Sequence, residues 1–203
     1  MKRRSLNKPL RKRVLILCEG ESEKIYLTGL KSDYFNRNNL SGVKIEIHTP
    51  DNNPMGLVEE AKRRIKKERS AYPYDSVWIV FDKDSHPFIT RAFDIARTNN
   101  PPINVAFSNI CFEYWVLLHF EQTNRAYQSC DALISYFRQR GYIDYQKTRN
   151  NYLLLKGNVE TALGHAEWLR QCNQFDLDSG MHPMDLNAYT DFDRLFIFLR
   201  ELS

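Results

Sequence analysis

Two short, strongly apolar runs, Val14 to Cys18 (VLILC) and Ser76 to Phe81 (SVWIVF), constrain the fold of this chain more than any other feature. Neither is long enough for a useful helix, and neither alternates apolar with polar residues. Each therefore reads as a strand inside a sheet that is covered on both faces. Val43 to His48 (VKIEIH) alternates with period two, which predicts a strand with one less buried face, and Ile103 to Phe107 predicts a fourth. The intervening segments are helical in pattern: Ser22 to Lys31, Met55 to Arg69 after a turn-rich Thr49 to Pro54, and Pro87 to Arg97. Strands separated by helical crossovers of this length give an α/β unit with a mostly parallel, four-stranded sheet.

From Cys111 onward the pattern becomes helical, over Cys111 to Glu121, Ser129 to Gln139, Val159 to Cys172 and Asp185 to Leu202. Polar, less regular linkers run from Gly141 to Gly157 and from Asn173 to Pro183. The expected organisation is a basic flexible tail over residues 1–13, an α/β core over 14–122, and a helical C-terminal extension over 123–203 packed on that core. A length of 203 residues with 13% aromatics suits one folded domain and excludes a disordered chain.

Charge is distributed unevenly. The net charge is +4, yet the first 13 residues hold seven bases and no acid, which leaves the remainder slightly acidic. Arg11, Lys12 and Arg13 close this tail and are candidates to meet nucleic-acid phosphates; a flexible solubilising segment is the plain alternative. A second basic cluster, Lys62 to Arg69, fits either a solvated helix face or a phosphate contact. No apolar stretch approaches the roughly 20 residues that cross a bilayer, and the run after the basic start stops at Glu19, so a cytoplasmic protein with no membrane partner is expected. Cys18, Cys111, Cys130 and Cys172 form no C-x-x-C pair, so reduced thiols are expected rather than a zinc cage or a disulfide scaffold.

Acidic residues fall where an α/β protein places its chemistry, just past the carboxyl ends of its strands. Glu19-Gly20-Glu21-Ser22-Glu23 follows the first strand, Asp82-Lys83-Asp84 follows the third, and Glu113 comes shortly after the fourth. Each has an ordinary structural account: Glu21 and Glu23 complement a helix dipole, Asp84 caps a helix, and Glu113 satisfies amides at its own helix start. Together they ask for more. Two carboxylates about 5 Å apart repel by roughly 3 kcal/mol at an effective dielectric of about 20. A converging cluster needs a cation or retained protons, and oxygen ligands without Cys or His select Mg²⁺, with Mn²⁺ as a substitute.

The Glu19-Gly20-x-x-Glu23 and Asp82-x-Asp84 pair resembles the catalytic signature of Toprim domains, found in bacterial primases, topoisomerases and OLD-type nucleases. The longer blocks LILCEGESEKIYLTGL, VWIVFDKDSH and SNICFEYWVLLHF are similar to the RloB family of prokaryotic defence-associated proteins, with a weaker likeness around Tyr145-Gln146-Lys147. Ser22, Lys24 and Ile110 depart from the Thr, Pro and Pro usual there; none removes a carboxylate.

The resemblance implies a Toprim-like fold and a Mg²⁺-dependent nuclease of antiphage defence. It also implies a nucleic-acid substrate, DNA or RNA with tRNA among the RNA candidates, and an ABC-type or AAA-type ATPase partner. Carried onto this chain, Glu19 is a general acid/base or ligand, Asp82 and Asp84 hold the ion, and Glu23 helps hold a second. Glu113 and His86 stand behind these ligands or touch water, and Lys83 and Lys147 stabilise phosphoryl charge. The rival reading is a catalytically silent module that binds the ATPase or nucleic acid. No G-x-x-x-x-G-K-[ST] loop and no G-x-S-x-G elbow occurs, so nucleotide hydrolysis would come from a partner.

Overall fold

The apolar run at the start of the chain becomes the strand on which the layout turns. The computed structural model describes residues 12–36, 42–50, 53–83, 86–186 and 188–202. Strands β1 (Lys12–Cys18), β2 (Val43–His48), β3 (Ser76–Asp82), β4 (Asn104–Asn109) and β5 (Tyr189–Thr190) form one sheet in the order β2-β1-β3-β4-β5. The first four are parallel, with Leu15 opposite Val77 and Phe81 opposite Phe107. The connection from β1 goes outward to β2, and the next crosses back over β1 to reach β3. The carboxyl ends of β1 and β3 therefore flank the point where the strand order reverses, which is where open α/β sheets bind ligands.

Alternate residues of the strands feed two cores, as the pleat requires. Val14, Ile16, Cys18, Val80 and Ala106 face one side. That side is covered by α1 (Glu21–Lys31), α4 (Glu113–Leu118), α5 (Cys130–Arg140), α6 (Tyr152–Leu155), α7 (Val159–Cys172) and α9 (Phe192–Glu201). Leu15, Leu17, Ile79, Phe81 and Phe107 face the other, against α2 (Pro54–Glu68) and α3 (Ile89–Thr98). The short α8 (Gln174–Asp178) lies in what the sequence presents as a linker, and a single turn follows α6 at Lys156–Asn158. Helix starts follow local chemistry: Asn53 Oδ1 accepts the Gly56 N–H at 2.7 Å with Pro54 in the first turn of α2, and Ser129 Oγ caps α5 through the Ala132 N–H at 3.1 Å.

Three expectations change. A helix over Asp185–Leu202 is not continuous: Tyr189 and Thr190 form β5, antiparallel to β4, and the helix begins only at Phe192. The reason is the open edge of β4, whose backbone groups need partners. The Phe107 N–H donates to Asp191 Oδ1 at 2.6 Å, and the Ser108 and Thr190 hydroxyls meet at 3.1 Å. The C-terminal third thus contributes a strand as well as helices.

The flexible-tail boundary also moves, because Lys12 and Arg13 are the first residues of β1, paired with Val43 and Lys44. Arg13 is 5% exposed; its guanidinium contacts Glu46 at 2.8 Å and Glu68 at 3.1 Å and lies 4.2 Å over the Tyr74 ring. A side chain so enclosed has no free face for a phosphate, which corrects its assignment to nucleic-acid binding. Lys12 is exposed, whereas Arg11 and the residues before it lie outside the described residues.

Third, Cys111 and Cys130 form a disulfide, against the expectation of reduced thiols throughout, while Cys18 and Cys172 are free. The turn after β4 and the start of α5 bring the two Cα atoms to 5.9 Å, a proximity that a separation of 19 residues does not announce. The basic cluster on α2 resolves into surface pairs along the helix, Lys62 with Glu59 and both Arg63 and Arg64 with Glu60. Among the described residues no helix is long and apolar enough to cross a membrane.

Candidate active site

β1 delivers Glu19 to the reversal point of the sheet. The Glu19 N–H donates to Val80 O at 2.9 Å, extending the ladder one residue beyond the strand and fixing the direction of the side chain. Its Oε2 accepts the Asp82 N–H at 3.1 Å, and its Oε1 lies 2.6 Å from His86 Nε2. Glu19 thus ties the end of β1 to the end of β3 and to the segment leading into α3.

Gly20 follows, and its missing side chain matters: a Cβ there would stand 2.6 Å from Glu23 Oε2. Glycine lets the Glu23 carboxylate fold back over the start of α1, where it is 4% exposed. Burial, with the charges of Glu113 and Glu19 behind it, pushes the Glu23 carboxyl up to about 7, against the opposing pull of Lys147. Asp82, the last residue of β3, is driven well above the ordinary carboxylate range by burial first and then by Glu23 and Glu113; a hydrogen bond from the Phe112 backbone offsets part of this.

Glu113 opens α4 and is 2% exposed. Its Oε1 accepts the Tyr145 hydroxyl at 2.8 Å and its Oε2 lies 2.9 Å from Cys130 Sγ. Burial first, and then the charge and hydrogen bond of this carboxylate, keep the Tyr145 phenol protonated far above its usual range. A cavity of about 300 Å³ is bounded by Glu19, Glu23, Asp82 and Glu113, with exposed Lys147 at its mouth and Cys111 and Cys130 in its wall.

Of the residues singled out from sequence, the fold gathers Glu19, Glu23, Asp82, Glu113 and Lys147 around this one cavity, and His86 reaches it through Glu19. Lys83 is not among the lining residues, and its backbone N–H donates to Ser108 O at 3.0 Å. Asp84 lies outside the described residues. Tyr145, Cys111 and Cys130 carry no assignment from sequence, because what makes them part of the site is a tertiary contact with Glu113. The local signs are that Tyr145 stands two residues before Lys147 in the weaker family-like stretch and that Cys111 falls inside the SNICFEYWVLLHF block. His119, in the apolar helix, is a core histidine: Nδ1 lies 3.0 Å from Trp115 O, and burial lowers its ring to about 4.

Four of the lining groups are carboxylates, the donor type that a hard divalent cation of the Mg²⁺ class takes, while the donor atoms that lie within 4.8 Å of one another are those of Cys111, Glu113 and Cys130. Among the described residues Lys147 is the cation that pulls the Glu23 carboxyl down, and its ammonium is solvent-exposed. The rise at Glu23 and Asp82 comes from burial first and the neighbouring acids second.

Comparison with known proteins agrees with the blocks that surround this cavity. The family model described as RloB-like protein matches residues 14–199. No curated protein and no solved structure matches the chain.

Proposed function

The chain belongs to the RloB-like family, and from that premise we propose that it is a Mg²⁺-dependent nuclease with a Toprim-like core, acting in the cytoplasm in prokaryotic antiphage defence beside an ABC-type or AAA-type ATPase. The observation that carries this reading is the convergence of Glu19, Glu23, Asp82 and Glu113 on one cavity at the reversal point of a parallel sheet. Such a concentration of buried carboxylate has a high cost for stability alone, and clusters of strongly shifted groups in a cleft mark functional sites.

In this reading Asp82 and Glu19 hold the ion, joined by Asp84 as the family signature implies, with Glu23 available to a second. Mn²⁺ would substitute. When bound, the ion supplies Lewis-acid stabilisation of charge that builds on the phosphate oxygens. The chain's own groups do the rest. Lys147, at the mouth, meets the phosphodiester and counters its charge. His86 Nε2, held by Glu19, moves a proton near the reacting phosphate. Tyr145 holds Glu113 in place so that the wall opposite β1 keeps its shape.

The test is incubation of the purified protein with mixed DNA and RNA, tRNA included, under Mg²⁺, Mn²⁺ or EDTA, with and without the neighbouring ATPase. Cleavage that EDTA and Asp82→Asn both abolish supports the reading. A folded wild-type protein that binds the ATPase or nucleic acid and cuts nothing in any arm would assign the cavity to a silent binding module instead.

A further inference from the structure

The disulfide in the cavity wall sits in a chain that does not need a staple. Both layers of the sheet are covered by extensive apolar cores, and structural disulfides are characteristic of small domains that lack one. Its placement is specific. Cys111 lies two residues before Glu113 and Cys130 is the first residue of α5; Cys130 Sγ is 2.9 Å from Glu113 Oε2. Cys111 is 3% exposed, whereas Cys130 is half-buried and lines the cavity, so a small molecule entering the cavity meets Cys130 first.

We propose that Cys111 and Cys130 are a reversible thiol–disulfide site, oxidised by low-molecular-weight disulfides, that resets the hydrogen bonding of Glu113 and with it the cavity's hold on a divalent cation. The exchange is balanced. The Cys130 thiolate attacks one sulfur of RS–SR and expels RS⁻, giving a mixed disulfide. The Cys111 thiolate then attacks Cys130 Sγ, forms the intramolecular bond and expels the second RS⁻. The two cysteines lose two protons and two electrons, and the oxidant becomes two RSH. Excess thiol runs the same steps backwards.

The consequence at Glu113 follows from where the hydrogen is. In the structure Cys130 is disulfide-bonded and its Sγ lies 2.9 Å from Glu113 Oε2; reduction puts a hydrogen on that sulfur, which in this proposal donates across the same contact, so that Glu113 accepts two donors, with Tyr145 on Oε1. In the disulfide no hydrogen remains on sulfur, and Oε2 keeps its full negative charge toward the cavity. The disulfide form should hold a cation more tightly, by about fivefold if one hydrogen bond of ordinary net strength is involved. The cation part of this inference rests on the metal-site reading above; the thiol part does not.

Three measurements on the 203-residue chain test it. Differential alkylation with mass spectrometry, across a series of glutathione to glutathione-disulfide ratios, should show Cys111 and Cys130 converting together and reversibly while buried Cys18 stays a thiol. Failure of the pair to oxidise or to be re-reduced in the folded protein overturns the proposal. The ¹³C shift of the Glu113 carboxyl, assigned with Glu113→Gln, should differ between the two forms; an unchanged shift overturns the link to Glu113. Mn²⁺ titration should give about fivefold tighter binding to the disulfide form. Cys130→Ser, which keeps a donor but cannot oxidise, should stay at the dithiol affinity, and Cys130→Ala, which lacks the donor, should move toward the disulfide affinity. Equal affinities in both forms would break the coupling. Binding to neither form would instead reject the metal-site reading and leave the thiol assignment to the first two measurements.

Discussion

The two ends of β1 each carry a cluster of charged side chains, and they are built on opposite plans. At the N-terminal end Arg13 is buried with Glu46 and Glu68 against it and the Tyr72 and Tyr74 rings beside it. Each charge there has an opposite partner, and Glu46 is held down to about 2 by the hydrogen bonds and charges of Arg13 and Lys44, which outweigh its burial. At the C-terminal end Glu19, Glu23, Asp82 and Glu113 line one cavity, with His86 against Glu19 and Lys147 opposed to Glu23, and the carboxyls of Glu23 and Asp82 go up. The first cluster pairs opposite charges; in the second, burial and neighbouring acids raise the carboxyls of Glu23 and Asp82. The same strand thus runs from a charge-paired cluster to an acid-rich one.

The sharpest way to break that contrast is Asp82→Asn. If the C-terminal cluster is chemical, cleavage falls by orders of magnitude while the melting temperature holds, because Asn keeps the shape of a buried carboxyl whose charged form is already disfavoured. An activity assay paired with a melting curve checks both halves, and an active Asp82→Asn protein would remove Asp82 from the reaction. The mirror experiment is Arg13→Met. It strands Glu46 without its main partner and should lower unfolding free energy by about 3 kcal/mol in a denaturant titration, with activity per folded molecule unchanged. A loss of activity without a loss of stability would make the N-terminal end functional after all.

The pH dependence separates the ends by sign. Glu46 has a depressed folded value, so its contribution is present above about 4.5 and disappears as pH falls toward about 2. Glu23 has a raised one, so its contribution is present below about 4.5 and is lost as pH rises through about 7, by roughly 3 kcal/mol at most. Glu23→Gln should flatten the stability profile between pH 5 and 7 in thermal melts, and Mn²⁺ should offset the wild-type loss at the alkaline end of that window. A wild-type profile that rises across the window would contradict the arrangement of charge around Glu23. The smallest effect expected is from Tyr145→Phe, which takes one donor from Glu113 and should cost about 1 kcal/mol of stability. A neutral outcome would mean that Glu113 is held by its other contacts.

How much of this was legible in the sequence depends on the range of the forces involved. Burial of a strand on both faces is written in its own residues, so VLILC and SVWIVF announce β1 and β3, and the carboxylates that follow them fall at the strand ends by simple succession. Glycine between Glu19 and Glu23 belongs to the same local grammar, although the contact that requires it appears only when α1 is placed. β5 was not legible, because a two-residue strand has no period of its own and exists through the open edge of β4, with Ser108 and Thr190 meeting across 82 positions. Arg13 looks in sequence like one more base of a tail; only the neighbouring strand and α2, which supply Glu46 and Glu68, make it a buried anchor. Cys111, Cys130, Tyr145 and Glu113 likewise belong together through packing alone. Local composition determined which segments would be buried and where the acids would emerge, since both depend on a few adjacent residues. Tertiary structure decided which acids face one another and which cations and donors reach them, since charges and hydrogen bonds act across space, whatever the distance along the chain.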